Sequence, residues 1–191
     1  MVPGSDQPTT VRYVLSGFGG QGIQLVSLCL AQAGFQAGLQ PVQFCVYSGA
    51  IRGGEIECFV VLTSEGMCSP VPGVADVGII MSSEGVKLSL DRVVPEGGLV
   101  VNQTTVPEVG EYGRRVDYLR LDDLAREHFD DRRPATMLAA GFAVTRYGPV
   151  DAEQLVEGMR RTVPAHRSGL IEANAAAVRL GAKLADEVVV R

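Results

Sequence analysis

From Tyr13 to Ile51, 39 consecutive residues contain no Asp, Glu, Lys or Arg. Elsewhere charge is ordinary: the 191-residue chain carries 17 basic and 22 acidic side chains, a formal net charge of −5. Up to Gly54 the only charged side chains are Asp6, Arg12 and Arg52, and a quarter of a molecule left nearly uncharged is either the centre of its core or a surface meant for another protein or a ligand. Other absences narrow the class. No run approaches the roughly 18 uninterrupted apolar residues of a membrane span. Met1 to Thr10 lacks the basic cluster and apolar stretch of a secretory signal, which predicts a cytoplasmic protein. Fifteen of the basic residues are arginines, and they are scattered. With an acidic balance, that argues against a nucleic-acid partner. No internal repeat or low-complexity linker is visible, so a single domain over 11–191 is expected, behind a flexible N-terminus over 1–10.

Cysteine usage is equally restrictive. Cys29, Cys45, Cys58 and Cys68 are spaced by 16, 13 and 10 residues, with no Cys-x-x-Cys. Zinc and iron–sulfur sites gather thiolates with tight turns, and none is supplied here, so no metal site is expected. Three of the four cysteines sit in apolar runs and are expected as reduced, buried core thiols of a reducing cytosol.

What is present alternates between strand and helix patterns. Val11 to Leu15, Val42 to Tyr47, Glu55 to Thr63, Asp76 to Met81, Leu99 to Asn102 and Arg115 to Leu119 predict strands. Helices are predicted over Ile23 to Phe35, Val86 to Val93, Asp122 to Phe129 (begun by its own Asp), Ala135 to Tyr147, and Asp151 to Thr162 with Asp151 as N-cap. A last helix is predicted from a Ser168 cap to about Val188. The fold class that follows is α/β: three layers, a mostly parallel sheet with helices on both faces, and a helical C-terminal segment. Glu55 to Thr63, directly after a strand and loop, predicts one antiparallel departure.

Two glycine loops carry the functional signal. Gly17-Phe18-Gly19-Gly20-Gln21-Gly22 fits G-x-G-x-x-G between a strand and a helix. Glycines there let backbone N–H groups and a helix N-terminus approach an anion. They also serve tight turns and close packing alone. A dinucleotide site would require an acid about 20 residues on to hold the ribose, and no acid occurs between Gly22 and Gly54. The loop has no basic side chain, so a phosphate held there takes its positive charge from elsewhere. The second loop runs Tyr47-Ser48-Gly49-Ala50-Ile51-Arg52-Gly53-Gly54-Glu55. Two readings of Arg52 stand: a bidentate partner for an anionic ligand or a partner's acid, or a cap on the chain's own carbonyls or Glu55. His128 on a charged helix reads as solvated, and His166 before the last helix as a loop or interface residue. Asp122-Asp123 and Asp130-Asp131 read as solvated helix ends, and Arg132-Arg133 as an exposed pair able to complement a partner.

Taken in order, GFGGQG, the Tyr-x-x-x-x-Arg-Gly-Gly loop, Ser69-Pro70, Ala75-Asp76-Val77, Pro95-Glu96-Gly97-Gly98-Leu99, Ala139-Ala140-Gly141 and Asn174 to Gly181 resemble the gamma subunit of 2-oxoacid:ferredoxin oxidoreductases. The similarity extends from about 11 to 183. It implies a multi-subunit enzyme that oxidatively decarboxylates a 2-oxoacid with coenzyme A, giving acyl-CoA and CO2, with two electrons passed to ferredoxin or another acceptor. It implies thiamine diphosphate, Mg2+ and [4Fe-4S] clusters on partner subunits, none bound by this chain alone, and no catalytic residue here. Gly17, Gly19, Gly20, Gln21 and Gly22 become candidates for contacting coenzyme A or a cofactor-bearing subunit. Tyr47, Arg52, Gly53 and Gly54 would form the adjoining wall. The chain departs from the resemblance twice. Single-chain pyruvate members carry a lysine pair before the second loop's glycines, where Gly49, Ala50 and Ile51 stand here, which favours a multi-subunit enzyme. Thr136-Met137-Leu138 stands where relatives often have Asn-Met-Val. Two other readings remain: a stand-alone Rossmann-like dinucleotide-binding oxidoreductase, and a non-catalytic adaptor.

Overall fold

A computed structural model describes residues 9–47, 54–66, 69–106, 109 and 115–189; all but the last two residues of the expected flexible N-terminus lie outside them. The elements are β1 (Thr10–Phe18), α1 (Ile23–Gln36), β2 (Gln40–Tyr47), β3 (Glu55–Thr63), β4 (Ala75–Ile80), α2 (Ser83–Ser89), β5 (Val93–Asn102), β6 (Arg115–Leu119), α3 (Leu121–Phe129), α4 (Ala135–Tyr147), α5 (Ala152–Thr162) and α6 (Ile171–Val189). Short 3-10 segments at Leu90–Arg92 and Ala165–Leu170 complete them.

The sheet order is β2-β3-β1-β4-β5-β6. Strands β1, β4, β5 and β6 run parallel, and β3 is antiparallel to both its neighbours, so it alone is reversed. That is the expected α/β sheet with its one departure. Apolar residues alternate between the faces: Tyr13 and Leu15 join one core cluster, Val14 the other. The faces are covered unequally. Helices α1, α3, α4, α5 and α6 pack on the first, whereas Val86 and Leu90 of α2 and the following turn supply the helical cover of the second.

Helices α4 and α6 touch backbone to backbone. A Cβ on Gly141 would lie 2.0 Å from the Val178 carbonyl oxygen, and one on Gly181 2.0 Å from that of Leu138. These two glycines are what allow the C-terminal helix to lie against α4. Helix α5 opens with a full capping box, Asp151 and Gln154 each accepting from the other's backbone N–H at 2.8 Å.

Several expectations are corrected. Strand β1 continues past Leu15 to Phe18, because Gly17 and Phe18 pair with Ile56 and Glu55. Strand β5 begins at Val93 and not at Leu99, with a bulge over Pro95 to Gly97: Ala75 pairs with Val93 and Val77 with Gly98. Asp122 does not begin α3. It is buried and accepts a hydrogen bond from the buried Asn102 Nδ2 at 2.7 Å, so it serves a core amide instead of a solvated helix end. Ser168 lies inside a 3-10 segment, and α6 starts at Ile171. Helix α2 starts earlier than predicted, with Ser82 Oγ accepting from the Gly85 N–H at 3.0 Å.

The cysteines are also corrected. Cys45 and Cys58 face each other across β2 and β3, with Cα atoms 4.1 Å apart, and form a disulfide. Cys29 alone meets the expectation of a free, buried thiol; Cys68 lies outside the described residues. Linear spacing carries no sign of this bond, because antiparallel pairing brings residues 13 apart into register.

Candidate functional site

Between β1 and β4 the chain's connections diverge. Helix α1 leaves β1 on one face of the sheet toward β2, whereas α2 leaves β4 on the other face toward β5. Such a switch point opens a crevice beyond the carboxyl ends of the strands, where open α/β sheets bind ligands. The first glycine loop lies at this place.

The loop is held rigidly from within. The Phe18 N–H donates to Gln21 Oε1 at 2.7 Å, Gln21 Nε2 donates to the Met81 carbonyl at 3.2 Å, and the Gln21 N–H returns to the Phe18 carbonyl at 3.1 Å. The Gln21 side chain therefore staples the loop to the end of β4. Its glycines divide by role. A Cβ on Gly17 would collide with Gln21 Oε1 at 2.5 Å and approach Met81 at 3.1 Å, so Gly17 is a packing residue. Gly20 and Gly22 have φ of 94° and 84° with nothing within 4 Å of a Cβ position. They are demanded by conformation, and their backbone is bare toward open space. The Gly19 N–H donates to the Gly54 carbonyl at 2.9 Å, which ties the two glycine loops together.

Arg52 and Gly53 lie outside the described residues. Tyr47 ends β2, 53% exposed, with β3 intervening before β1. Two strand spacings place it roughly 10 Å from β1, and it lines neither cavity described next. That same intervening strand bears on the dinucleotide reading. A Rossmann site takes its ribose-binding acid from the strand beside the glycine loop, whereas here an antiparallel strand occupies that place and β2 ends in Tyr47.

Two cavities flank the loop, of about 380 and 300 Å3. The first lies against Gly19, Gly20 and Gln21 and is closed by Thr105, Asp122, Arg132 and Arg133. The second is more apolar, with Leu25, Val26, Met137 and Leu170. Both share Gly20, Gln21, Arg133 and Thr136 as the ridge between them. Thr136 Oγ1 donates to the Gln21 carbonyl at 2.5 Å, so the hydroxyl at this position joins the start of α4 directly to the glycine loop. Arg133 is oriented by Asp131, with Nε to Oδ2 at 2.5 Å and backbone N–H to Oδ1 at 2.9 Å. The Arg133 backbone N–H, and then its guanidinium, hold the Asp131 carboxyl below its ordinary value.

Neither α1 nor α4 has a side-chain cap or an acid in its first turn. Their positive ends converge on the ridge. Arg132 and Arg133 are exposed, as the sequence predicts; what the sequence does not reveal is that they border the glycine-loop cavity, and the one signal for it is their place immediately before the Pro134 that opens α4. Among the described residues lining the two cavities there is no histidine, cysteine or lysine. Nor do the described residues group three or more possible metal ligands. Bare glycine backbone, exposed guanidiniums and two uncapped helix starts are groups that can hold an anion.

Comparison with known proteins agrees with the resemblance. A family model described as pyruvate ferredoxin/flavodoxin oxidoreductase matches residues 12–184. The 2-oxoglutarate synthase subunit KorC of Methanothermobacter marburgensis is 28% identical over 177 residues, covering 89% of this chain and 94% of that protein. The ketoisovalerate oxidoreductase subunit VorA of Methanothermobacter thermautotrophicus is 28% identical over 177 residues, covering 93% of this chain; the match spans only 37% of VorA, so the chain covers about a third of that longer relative. Among solved structures, a keto/oxoacid ferredoxin oxidoreductase gamma subunit from Geobacter sulfurreducens has the same fold, with a TM-score of 0.78, 23% identity and coverage of 92% of this chain and 98% of that one. A 2-oxoglutarate:ferredoxin oxidoreductase from Magnetococcus marinus, solved with 2-oxoglutarate, coenzyme A and succinyl-CoA bound, gives a TM-score of 0.76 at 18% identity, over 96% of this chain and 32% of that one.

Proposed function

Because this chain belongs to the pyruvate ferredoxin/flavodoxin oxidoreductase family, we propose that it is the gamma-type subunit of a cytoplasmic, multi-subunit 2-oxoacid oxidoreductase. The assembly oxidatively decarboxylates a 2-oxoacid with coenzyme A to acyl-CoA and CO2 and passes two electrons to ferredoxin or another acceptor. Thiamine diphosphate with Mg2+, and [4Fe-4S] clusters, carry the decarboxylation and electron transfer on the partner subunits. This chain's part is to pack on those subunits and to form a wall of the coenzyme A site.

The observation that carries this reading is the bare backbone of Gly20 at the switch-point cleft, in one cavity with Arg132 and Arg133, and of Gly22 in the adjoining cavity that Arg133 also borders. A coenzyme with an anionic end and an extended apolar arm suits a polar cavity that shares a ridge with an apolar one. Two further facts support it. KorC, of nearly this length, is a subunit by name, and the Magnetococcus enzyme of like fold was solved with coenzyme A. The uncharged stretch supports the packing role. Leu28, Phe35, Phe44, Val46 and Tyr47, five of the nine exposed large hydrophobic residues among those described, fall inside it.

The test begins with purification from the source organism: the chain is expected in a complex with larger subunits, and the isolated chain is expected to have no oxidoreductase activity. An active, monodisperse single chain overturns the reading, as does tight saturable binding of NAD(H) or NADP(H) to it. Within the complex, Gly20→Val is expected to raise KM for coenzyme A at unchanged subunit content; unchanged kinetics would favour the adaptor.

A further inference from the structure

An anion at the first glycine loop lacks a cation from the loop itself, since Ser16 to Gly22 contains no Lys or Arg. The fold supplies one from 110 residues further along the chain. Arg132 and Arg133, between α3 and α4, face Gly19 to Gln21 across the 380 Å3 cavity. Arg132 makes no ion pair among the described residues. Arg133 is braced by Asp131 through Nε, and that single hydrogen bond does not engage the Nη groups. One carboxylate, Asp122, shares the lining, and its Oδ1 already accepts from Asn102. Asp122 and the Asp131 carboxylate paired with Arg133 match the two guanidiniums in charge, so what the cleft offers an anion is Arg132, unpaired among the described residues, the Nη groups of Arg133 and the field of the uncapped first turns of α1 and α4.

We infer that Arg132 and Arg133 are the phosphate-holding residues of this cleft, gripping the phosphates of coenzyme A against the bare backbone of the glycine loop. The inference rests on the coenzyme A reading above. A phosphate offers several acceptor oxygens in a tetrahedral array, so it takes donors from both walls at once, guanidinium on one side and backbone N–H on the other. A planar carboxylate presents two. Since Arg133 also borders the apolar cavity, a phosphate at the shared ridge lets the rest of the ligand lie along Leu25, Val26 and Met137. Neither arginine is buried, so removing one changes charge in the cleft and leaves the core untouched.

The experiment uses the assembled enzyme with Arg132→Ala, Arg133→Ala and both together, measuring kcat, KM for coenzyme A, KM for dephospho-coenzyme A and KM for the 2-oxoacid. Each single change is expected to raise KM for coenzyme A about tenfold or more, with KM for the 2-oxoacid unchanged. Arg132→Lys is expected to fall between wild type and Arg132→Ala. If the loss appears with coenzyme A alone, the arginines hold the 3′-phosphate; if dephospho-coenzyme A suffers equally, they hold the pyrophosphate. An unchanged coenzyme A KM in the double variant overturns the assignment, and so does an equal rise in both substrates' KM, which would mark a general disturbance of assembly. A wild-type complex whose turnover does not depend on coenzyme A overturns the functional reading itself, and is seen before any variant is made.

Discussion

Thr136 occupies a position where the resembling family often carries an asparagine, and its hydroxyl still reaches the glycine loop through the Gln21 carbonyl. Thr136→Val keeps the shape and leaves that carbonyl without its donor at a residue only 2% exposed. The expected cost is about 1–3 kcal/mol, read as a lower urea midpoint. The complex should also show a weaker grip on coenzyme A, because Gln21 shapes the loop. Cys29 makes a different kind of prediction. Burial pushes its thiol up to about 12, with a hydrogen bond to Thr162 pulling the other way. The unfolded chain releases this proton near the ordinary value of about 8.5 and the folded chain keeps it. Its contribution to stability is therefore complete below that pH and is lost as pH climbs toward 12. Denaturant midpoints should fall as pH rises above 8.5, and fall less steeply in Cys29→Ala. A disulfide-exchange reagent at pH 8 should not label Cys29 until the protein unfolds.

Pairs of elements depend on contacts that single residues conceal. Helices α4 and α6 approach so closely at Gly141 and Gly181 that any side chain meets a main-chain carbonyl, which cannot rotate away. Gly141→Leu or Gly181→Leu is expected to cost at least about 3 kcal/mol, seen as loss of the cooperative thermal transition or a drop in Tm. Gly169→Ala, where a Cβ meets nothing within 4 Å, serves as the control. On the opposite edge, the Cys45–Cys58 disulfide joins β2 to β3 at the base of the second glycine loop. It closes a short loop in the unfolded chain, a restriction worth about 3 kcal/mol. Reduction should lower Tm by roughly 6–12 °C for a chain of this size. Cys45→Ser/Cys58→Ser should reproduce that loss and abolish the response to reductant.

For the whole molecule, the distribution of apolar surface matters most. Strand β2 is a sheet edge with Phe44 45% and Val46 43% exposed, and α1 carries Leu28 and Phe35 one heptad apart on its outer side. An edge strand flanked by apolar side chains is a hazard for a lone domain and a natural seat for a partner. Phe44→Asp and Leu28→Asp should therefore leave the isolated chain folded, within about 0.5 kcal/mol, while reducing its recovery with the larger subunits. Recovery at wild-type levels would remove this face from the assembly interface. Among the described residues, no helix is long and apolar enough to cross a membrane, so this apolar surface is not part of a helical span.

The local pattern of residues was enough to reveal the α/β alternation, β3, β6 and α4 to the residue, the Asp151 cap, and the glycine loop between strand and helix. Each of these follows from short-range rules: period-two and 3.6-residue hydrophobicity, and turn chemistry within a few positions. Everything that involves partners distant in sequence came from the tertiary structure. The order β2-β3-β1 faced Cys45 with Cys58, which converts two expected core thiols into a bond. The burial of Asn102 claimed Asp122 as its acceptor and took it from the helix cap. The switch point carried Arg132 and Arg133 to a glycine loop that has no charge of its own. A linear pattern does not encode which distant segments come to share a cavity; that depends on strand order and on the face each helix covers. The 39 uncharged residues were legible as unusual, and only the fold divided the described ones, 13–47, into a buried part around β1 and an exposed part on α1 and β2.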